Sequence, residues 1–168
     1  MIISSCKKEE DKIEGCTDSS AINYLFDATS NDGSCIYAYN IAKGDWAIEA
    51  SCDSVTISLL IVEETISITE MFPDSVEITG EENGVVSMDI NGNNILADIA
   101  NDGSVTIQDN QTISFDTSDF DPTGFIGVVD INITGSGTII SDSNGNLLLN
   151  LSNSSLSIDT DCEIIFLR

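Results

Sequence analysis

The feature that most constrains this chain is a series of turn dipeptides between short runs of β-branched residues. Asn-Gly or Asp-Gly pairs occur at 83–84, 91–92, 102–103 and 144–145. Between apolar runs, such pairs favour two-residue hairpin turns, because both central positions need positive φ. The runs themselves alternate apolar and polar residues, as in Val105-Thr106-Ile107 and Ile113-Ser114-Phe115, which is the period of a half-buried strand. The pattern predicts an all-β domain of consecutive antiparallel hairpins.

Residues 38–168 carry about a dozen such runs, with almost no helical periodicity. An antiparallel meander of this size must protect its edge strands. It can close into a barrel or fold as a two-sheet β-sandwich. The Gly-Ser-Gly-Thr stretch at 135–138 reads as one more hairpin turn, since no helix follows it as a phosphate-binding loop would require.

The charge of the chain restricts its partners. Asp and Glu total 29 and Lys and Arg total 5, so the formal net charge is −24. A surface this negative repels phosphate backbones, which excludes nucleic acid as a partner. The apolar fraction is 41%, enough for a packed core.

Several reaction classes are excluded by residue type. The chain has no histidine, so it has neither a Ser-His-Asp triad nor a histidine metal site. Adjacent acids such as Glu63-Glu64 and Glu81-Glu82 would face opposite sides of a strand, unlike the facing carboxylates of a glycosidase. We expect a protein that is not an enzyme.

The first eleven residues contain one cysteine, which is followed by a run of charged residues. Ile3-Ser4-Ser5-Cys6 is followed at once by Lys7-Lys8-Glu9-Glu10-Asp11. The first stretch resembles a bacterial lipobox, and the second resembles the surface-export signal of Bacteroidota-type lipoproteins. The resemblance implies lipid attachment at Cys6, anchoring in outer-membrane lipid and exposure at the cell surface. Too few residues precede Cys6 for an apolar signal segment of about 7–15 residues, so we expect either that Met1 lies inside a longer signal peptide or that the chain is a fragment.

Five cysteines are consistent with one lipid site and two disulfides. If Cys6 carries lipid, four thiols remain, and they allow three pairings. The pairing Cys16–Cys35 with Cys52–Cys162 respects the domain boundaries, and it requires an oxidising compartment. A Cys52–Cys162 bridge would also join the first and last strands of the β region. Because neighbouring first and last strands are what closure demands, we favour the barrel over the sandwich.

A short segment, residues 15–37, precedes the β region, and we call it the disulfide module. It contains Gly15-Cys16-Thr17-Asp18, Ala21-Ile22-Asn23-Tyr24, Ala28 and Asp32-Gly33-Ser34-Cys35. It resembles a module that recurs in Bacteroidota surface and secreted proteins. It is too small for a core of its own, so a disulfide must hold it.

The disulfide module is also rich in hard oxygen ligands. The candidate calcium ligands are Asp18, Asn23, Asp27, Asn31 and Asp32, since Ca²⁺ takes carboxylate and carbonyl oxygens. The alternative is that these residues form turns and helix caps.

The start of the β region resembles a lipocalin. Gly44-Asp45-Trp46 matches the Gly-x-Trp that opens the first lipocalin strand. The resemblance implies a cation–π contact between Arg168 and Trp46; the alternative is a tryptophan that only fills the end of the core. As a whole, residues 38–168 resemble an uncharacterised lipocalin-like β domain found behind Bacteroidota lipoprotein signals.

Together these features predict three parts: a lipobox remnant with an acidic tether (1–14), the disulfide module (15–37) and a lipocalin-like barrel (38–168). We expect a surface lipoprotein that binds a small apolar ligand, a surface protein or a glycan. The alternative is a structural or adhesion module without a ligand pocket. A pocket of about 300 Å³ or more would favour a ligand, whereas an interior filled with side chains would favour the alternative.

Overall fold

The structure is a computed structural model that describes residues 12–59, 62–81, 84–116, 127–139 and 141–168. The chain divides into two compact units, with the boundary between Tyr37 and Ala38. Within the described ranges, no helix is long and apolar enough to cross a bilayer.

The first unit is held by very few elements. Strands β1 (Glu14–Gly15) and β2 (Ser30–Asn31) form a short parallel pair. The predicted Cys16–Cys35 disulfide is present, with an S–S distance of 2.05 Å. Cys16 and Ala21 are the buried apolar residues recorded in this unit's described part. The unit therefore has almost no core, as its length predicts.

The second unit is an antiparallel β structure introduced by a short helix. Its elements are α1 (Ala38–Ala42), β3 (Gly44–Cys52), β4 (Val55–Leu59), β5 (Val62–Ile66), a 3-10 turn (Thr69–Met71), β6 (Ser75–Glu81), β7 (Val85–Ile90), β8 (Asn93–Ile99), β9 (Ser104–Ile107), β10 (Gln111–Asp116), β11 (Val128–Thr138), β12 (Asn144–Asn153) and β13 (Ile158–Leu167). Strands β4 and β5 form a separate hairpin.

The remaining strands close into a barrel. Hydrogen-bonded neighbours run β11-β12-β13-β3-β6-β7-β8-β9, and β9 pairs back to β11 to complete the circle. The Cys52–Cys162 disulfide joins directly opposed residues of β3 and β13. The predicted all-β closed barrel is confirmed, and the sandwich alternative is excluded. The hairpin β4–β5 and strand β10 lie outside the closed circle.

Strand β10 continues β9 after a local irregularity. Thr106 lies opposite Ser136 of β11, whereas Gln111 lies opposite Ile133. The β9–β10 side therefore contains extra residues, as in a bulge, which bends a strand. Beyond the bulge, β10 has no backbone ladder to β8. Instead the Asn93 side chain of β8 accepts from Ser114 N at 3.0 Å through Oδ1 and donates to Ser114 O through Nδ2. Strands β8 and β10 are therefore neighbours that share side-chain hydrogen bonds and form no ladder.

The barrel interior is packed with apolar side chains. Inward positions alternate with exposed ones along nearly every strand. The largest side chains with almost no exposure in the second unit are Trp46, Ile68, Ile78, Ile95, Ile113, Ile131, Ile133, Ile139, Leu149 and Leu151. Burying a side chain of this size contributes roughly 1.5–3 kcal/mol before entropy is subtracted.

Two of the predicted turns are wrong. Gly-Ser-Gly-Thr at 135–138 lies inside β11, and Asn144-Gly145 begins β12. The glycines serve close strand contact instead: a Cβ on Gly137 would overlap the Asn146 carbonyl oxygen, and one on Gly145 would lie 2.8 Å from Ile139 Cγ1. In contrast, the Asn91-Gly92 turn is confirmed, with positive φ at both residues.

Candidate functional site

An open cleft of about 610 Å³ lies beside the hairpin β4–β5. Four parts of the second unit contribute to it: the end of β5 with the residue after it, the 3-10 turn, the β7–β8 turn and the end of β10. The lining residues are Thr65, Ile66, Ser67, Glu70, Met71, Asn91, Ser114, Phe115 and Asp116. The hairpin and β10 both lie outside the closed circle of strands, and both contribute to the cleft.

The floor of the cleft is apolar. Ile66 and Phe115 are buried and Met71 is half-buried. The same three residues also line a small apolar cavity of about 10 Å³, together with Val55, Ile57, Ile68, Val129, Ile131, Leu156 and Ile158. A void of that size holds at most about one water molecule. The floor is therefore backed by a well-packed apolar layer.

Met71 is the adaptable part of this floor. It borders both the open cleft and the small apolar cavity. Methionine is unbranched and has several low-cost rotamers, so it fits irregular apolar shapes well. A rotation of Met71 would let an apolar group in the cleft contact the layer beneath.

The rim of the cleft is polar and held by hydrogen bonds. Asn91 Nδ2 donates to the Met71 carbonyl oxygen at 2.5 Å, which joins the 3-10 turn to the β7–β8 turn. Ser114 Oγ donates to Asp130 Oδ1, also at 2.5 Å. Thr69 Oγ1 accepts from Cys52 N at 3.0 Å, which fixes the start of the 3-10 turn. Three of the nine lining residues are apolar and six are polar, so the cleft is more polar than most small-molecule sites, whose linings are mainly apolar.

The other end of the barrel is closed by Trp46 and Arg168. The Arg168 guanidinium carbon lies 3.8 Å from the centre of a fully buried Trp46 ring, so the stacking predicted for this pair is present. Arg168 also donates to backbone carbonyls of residues 41–45, including Asp45 O at 3.1 Å. The β13–β3 ladder runs from the Leu167–Ala47 pair, next to Arg168, to the Cys162–Cys52 pair. Cys52 N donates to Thr69 of the 3-10 turn, which borders the cleft. The Trp46–Arg168 pair, which we call the Trp46 plug, and the cleft therefore lie at opposite ends of the barrel.

Asp18 and Asn23, two of the predicted calcium ligands, form hydrogen bonds within the disulfide module. Asp18 accepts from Ser20 N at 2.9 Å and from the Tyr37 hydroxyl at 2.8 Å. These bonds, the Ser20 backbone bond first, lower the pKa of Asp18 below 3.8. Asn23 Oδ1 accepts from Ile36 N at 2.8 Å, and its amide nitrogen donates to Ser34 O.

The other three candidates lie in turns. Asn31 Oδ1 accepts from Gly33 N at 2.8 Å, and Asp32 Oδ1 accepts from Ser34 N at 2.9 Å. Hydrogen bonds from the Ser34 hydroxyl and then from its backbone N–H lower the pKa of Asp32. Asp27 is an exposed turn residue.

Of the five candidate ligands, Asp18, Asn31 and Asp32 accept hydrogen bonds within turns, as the alternative interpretation predicts, and Asn23 joins two segments of the module. In the described part of the chain, no three Asp, Glu, Cys or His side chains converge as a metal would require. Calcium binding stays a prediction. Lipid attachment at Cys6 also stays a prediction, because residues 1–11 lie outside the described ranges.

Sequence reasoning did not identify the cleft residues. Phe115 was expected only as a core position of an alternating strand, and Glu70 and Met71 carried no motif. They come from elements separated by more than forty residues, and the bend after β9 brings them together. The turn-like Asp109-Asn110 pair was the one available signal, since Asn110 has a φ of 60° in the bulge.

The chain is similar to known proteins in structure but not in sequence. No family model matches the sequence, and no curated protein matches it. Two solved chains match the structure. One is described as "Structure of EF1p2_mFAP2b bound to DFHBI"; it has a TM-score of 0.41 and 9% sequence identity, and the match covers 78% of this chain and 96% of that chain.

Proposed function

We propose that this chain is a lipid-anchored, surface-exposed binding protein whose cleft holds a small amphiphilic ligand. The observation that carries the proposal is the cleft of about 610 Å³, with its apolar floor and fixed polar rim. Ligand pockets typically have volumes of about 300–1,000 Å³. The barrel itself is filled with side chains, so the ligand site is the cleft at its end and not the barrel interior.

The floor and rim indicate the shape of the ligand. An apolar portion would pack on Ile66, Met71 and Phe115, and a polar portion would face Thr65 and Ser67. Each buried CH₂ group contributes about 0.8 kcal/mol. A short alkyl or aryl group on this floor would therefore give modest affinity, and the rim would supply selectivity.

Binding without catalysis is supported by the acid–base groups. The chain has no histidine. In the described part of the chain, the carboxyl groups with a shifted pKa are the half-buried Asp18 and the exposed Asp32 and Asp102. Hydrogen bonds, chiefly from Ser20, Ser34 and Ser104 respectively, lower the pKa of each. A carboxylic general acid at neutral pH needs a raised pKa instead.

The proposed location follows from the cysteines. Two disulfides are consistent with an oxidising compartment, and Cys6 is the remaining thiol, in a lipobox-like setting. We expect Cys6→Ser to move the protein from the membrane fraction to the soluble fraction. A control, Ser5→Ala, keeps the cysteine and a small preceding residue and should stay at the membrane.

The ligand is tested by native mass spectrometry of protein extracted gently from its own membranes. We expect lipid mass on Cys6, two disulfides and a bound small molecule. Ser67→Trp fills the cleft and should release the small molecule. Thr79→Trp places the same side chain at an exposed position of β6 that does not line the cleft, and it should retain the small molecule.

Two outcomes would contradict the proposal. Protein free of fatty acid on Cys6 would remove the anchor. Protein without any retained small molecule, with a surface protein or glycan captured equally by Ser67→Trp and wild type, would favour the structural or adhesion alternative.

A further inference from the structure

We propose that the disulfide module binds the surface of the lipid bilayer through an exposed turn of apolar residues. The turn consists of residues 22–26, Ile-Asn-Tyr-Leu-Phe, and we call it the apolar turn. The inference rests on the proposed function, because an acyl group on Cys6 is what brings the module to the membrane. It adds a second contact with the same membrane, made by protein side chains.

Exposed apolar side chains are concentrated in the disulfide module. Nine large apolar side chains are exposed among the described residues; five of them lie in the module and three in the whole second unit. The five are Ile22, Tyr24, Leu25, Phe26 and Ile36. Single exposed apolar residues are ordinary, whereas a group of them within one short segment is typical of an interaction surface.

Phe26 is the residue of this group that the fold explains least. Ala28 N donates to Leu25 O at 3.0 Å, so Phe26 and Asp27 form the centre of a tight turn. Such centres usually carry Gly, Pro, Asn, Asp or Ser. The Phe26 side chain is instead large and 83% exposed, so it contributes little to the packing of the module.

The apolar turn packs along the segment by which the chain from Cys6 enters the module. Leu25 N donates to Cys16 O at 2.9 Å, and a Cβ on Gly15 would lie 2.9 Å from Leu25 Cδ2. Lys12 lies six positions after Cys6, so even an extended chain places it at most about 22 Å away. A lipid on Cys6 therefore keeps the turn near the bilayer at a high effective concentration.

A bilayer surface fits the chemistry of the apolar turn. Tyr24 combines an apolar ring with a polar hydroxyl, which suits the boundary between headgroups and acyl chains. Leu25 and Phe26 supply apolar area that can enter the acyl region without a matching groove. The formal net charge of −24 opposes contact with anionic headgroups, so the expected partner is a surface of neutral lipid.

The test supplies the anchor chemically, so it does not depend on acylation in the cell. Cys6 is the one cysteine outside the two disulfides, and in the full chain its thiol is coupled to maleimide-bearing lipid in phosphatidylcholine vesicles. Tyr24→Trp is the reporter, because brominated acyl chains quench the fluorescence of a tryptophan that enters them. The native Trp46 is fully buried in the barrel and gives a constant background.

We expect brominated vesicles to quench the Tyr24→Trp reporter. A reporter at an exposed barrel position, Leu148→Trp, should not be quenched. Adding Phe26→Ser to Tyr24→Trp should lower the ratio of bound to free module by about tenfold or more, the effect of burying one large apolar side chain. The matched control Val128→Ser removes an exposed apolar side chain of the barrel and should leave the ratio unchanged. Anionic lipid in the vesicles should weaken the quenching at low salt.

The opposite results overturn the membrane contact. No quenching of the Tyr24→Trp reporter would overturn it and leave acylation of Cys6 standing, because the tether is supplied chemically. Equal losses with Phe26→Ser and Val128→Ser would overturn the role of the apolar turn. Shielding of the reporter that depends on protein density and not on bromine would place a second copy on the turn, and would overturn the proposal too. Quenching combined with native protein that lacks fatty acid would support the contact and overturn the proposed anchor alone.

Discussion

The disulfide module and the barrel each contain one disulfide, but the module depends on its disulfide for stability far more than the barrel does. In the module, Cys16–Cys35 holds a unit with two recorded buried apolar residues, Cys16 and Ala21. In the barrel, Cys52–Cys162 joins two strands that are already paired over six residue positions and packed on a continuous core.

The contrast shows what the covalent bond replaces in a small unit. The module's remaining order comes from side chain–backbone hydrogen bonds such as Asn23 to Ile36 N. Its large apolar side chains stay at the surface, with Phe26 83% exposed. A unit that buries so little surface cannot offset its chain entropy without the cross-link. The barrel can.

The largest expected effect is loss of the module. Cys16→Ser/Cys35→Ser removes about 3 kcal/mol by the loop-entropy relation, which exceeds what so small a core supplies. We expect residues 12–37 to lose amide dispersion in an NMR spectrum while the barrel signals stay unchanged. Retained dispersion in the module would show that its turns suffice without the bond.

The matched change in the barrel should weaken it without unfolding it. Cys52→Ser/Cys162→Ser opens a loop with a sequence separation of 110, and the free energy of unfolding should fall by about 4–5 kcal/mol. Because the β3–β13 ladder and the core remain, the variant should stay folded. Chemical denaturation measures the loss; collapse of the barrel spectrum would contradict the comparison.

The Trp46 plug gives a smaller effect confined to the barrel. Arg168→Ala removes the cation–π contact and hydrogen bonds to several backbone carbonyls, and should cost about 2 kcal/mol of unfolding free energy. Lys43→Ala serves as the control, because Lys43 lies 5.0 Å from the Tyr39 ring centre; it should change stability by less than about 0.5 kcal/mol. Equal losses would remove the special role of Arg168.

The smallest expected difference between the module and the barrel is their stability at low pH. The pKa values of Asp18 and Asp32 lie below 3.8 in the folded module, because Ser20 and Ser34 donate to their carboxylates. Lowered pKa values contribute stability that is present above the unfolded value and lost as the pH falls through the folded value.

Module signals should therefore weaken below pH 3.8. The pKa of Asp102 in the barrel is lowered too, but the large apolar core should keep the barrel signals. Asp18→Asn should reduce this acid sensitivity, and Asp27→Asn, at an exposed turn position in the same module, should leave it unchanged. Simultaneous loss of both sets of signals would argue against separate stabilisation.

Much of the fold was readable from local pattern. Alternation at Val105, Ile107 and Ile113 predicted the inward faces of β9 and β10, and those residues are buried. Asn91-Gly92 predicted a hairpin and forms one. Both signals depend on a residue and its immediate neighbours, which is why they survive without tertiary information.

The same dipeptide failed where strands approach closely. Asn144-Gly145 and Gly135-Ser136-Gly137 carry the composition of turns, yet they lie in β12 and β11. Backbone contact across the pair excludes a Cβ there. A glycine chosen for positive φ and one chosen for close contact look alike in sequence, so only the partner strand distinguishes them.

The amino-acid sequence by itself determined the all-β class and the negative charge, because each depends on residue type and spacing. It favoured one of three disulfide pairings, and the structure fixed that choice. Only the tertiary structure decided that the barrel is filled and that a cleft opens beside Met71 and Phe115. A cleft is the space left between elements, and its position depends on the bend after β9 and on where the β4–β5 hairpin packs. No local pattern encodes that distance.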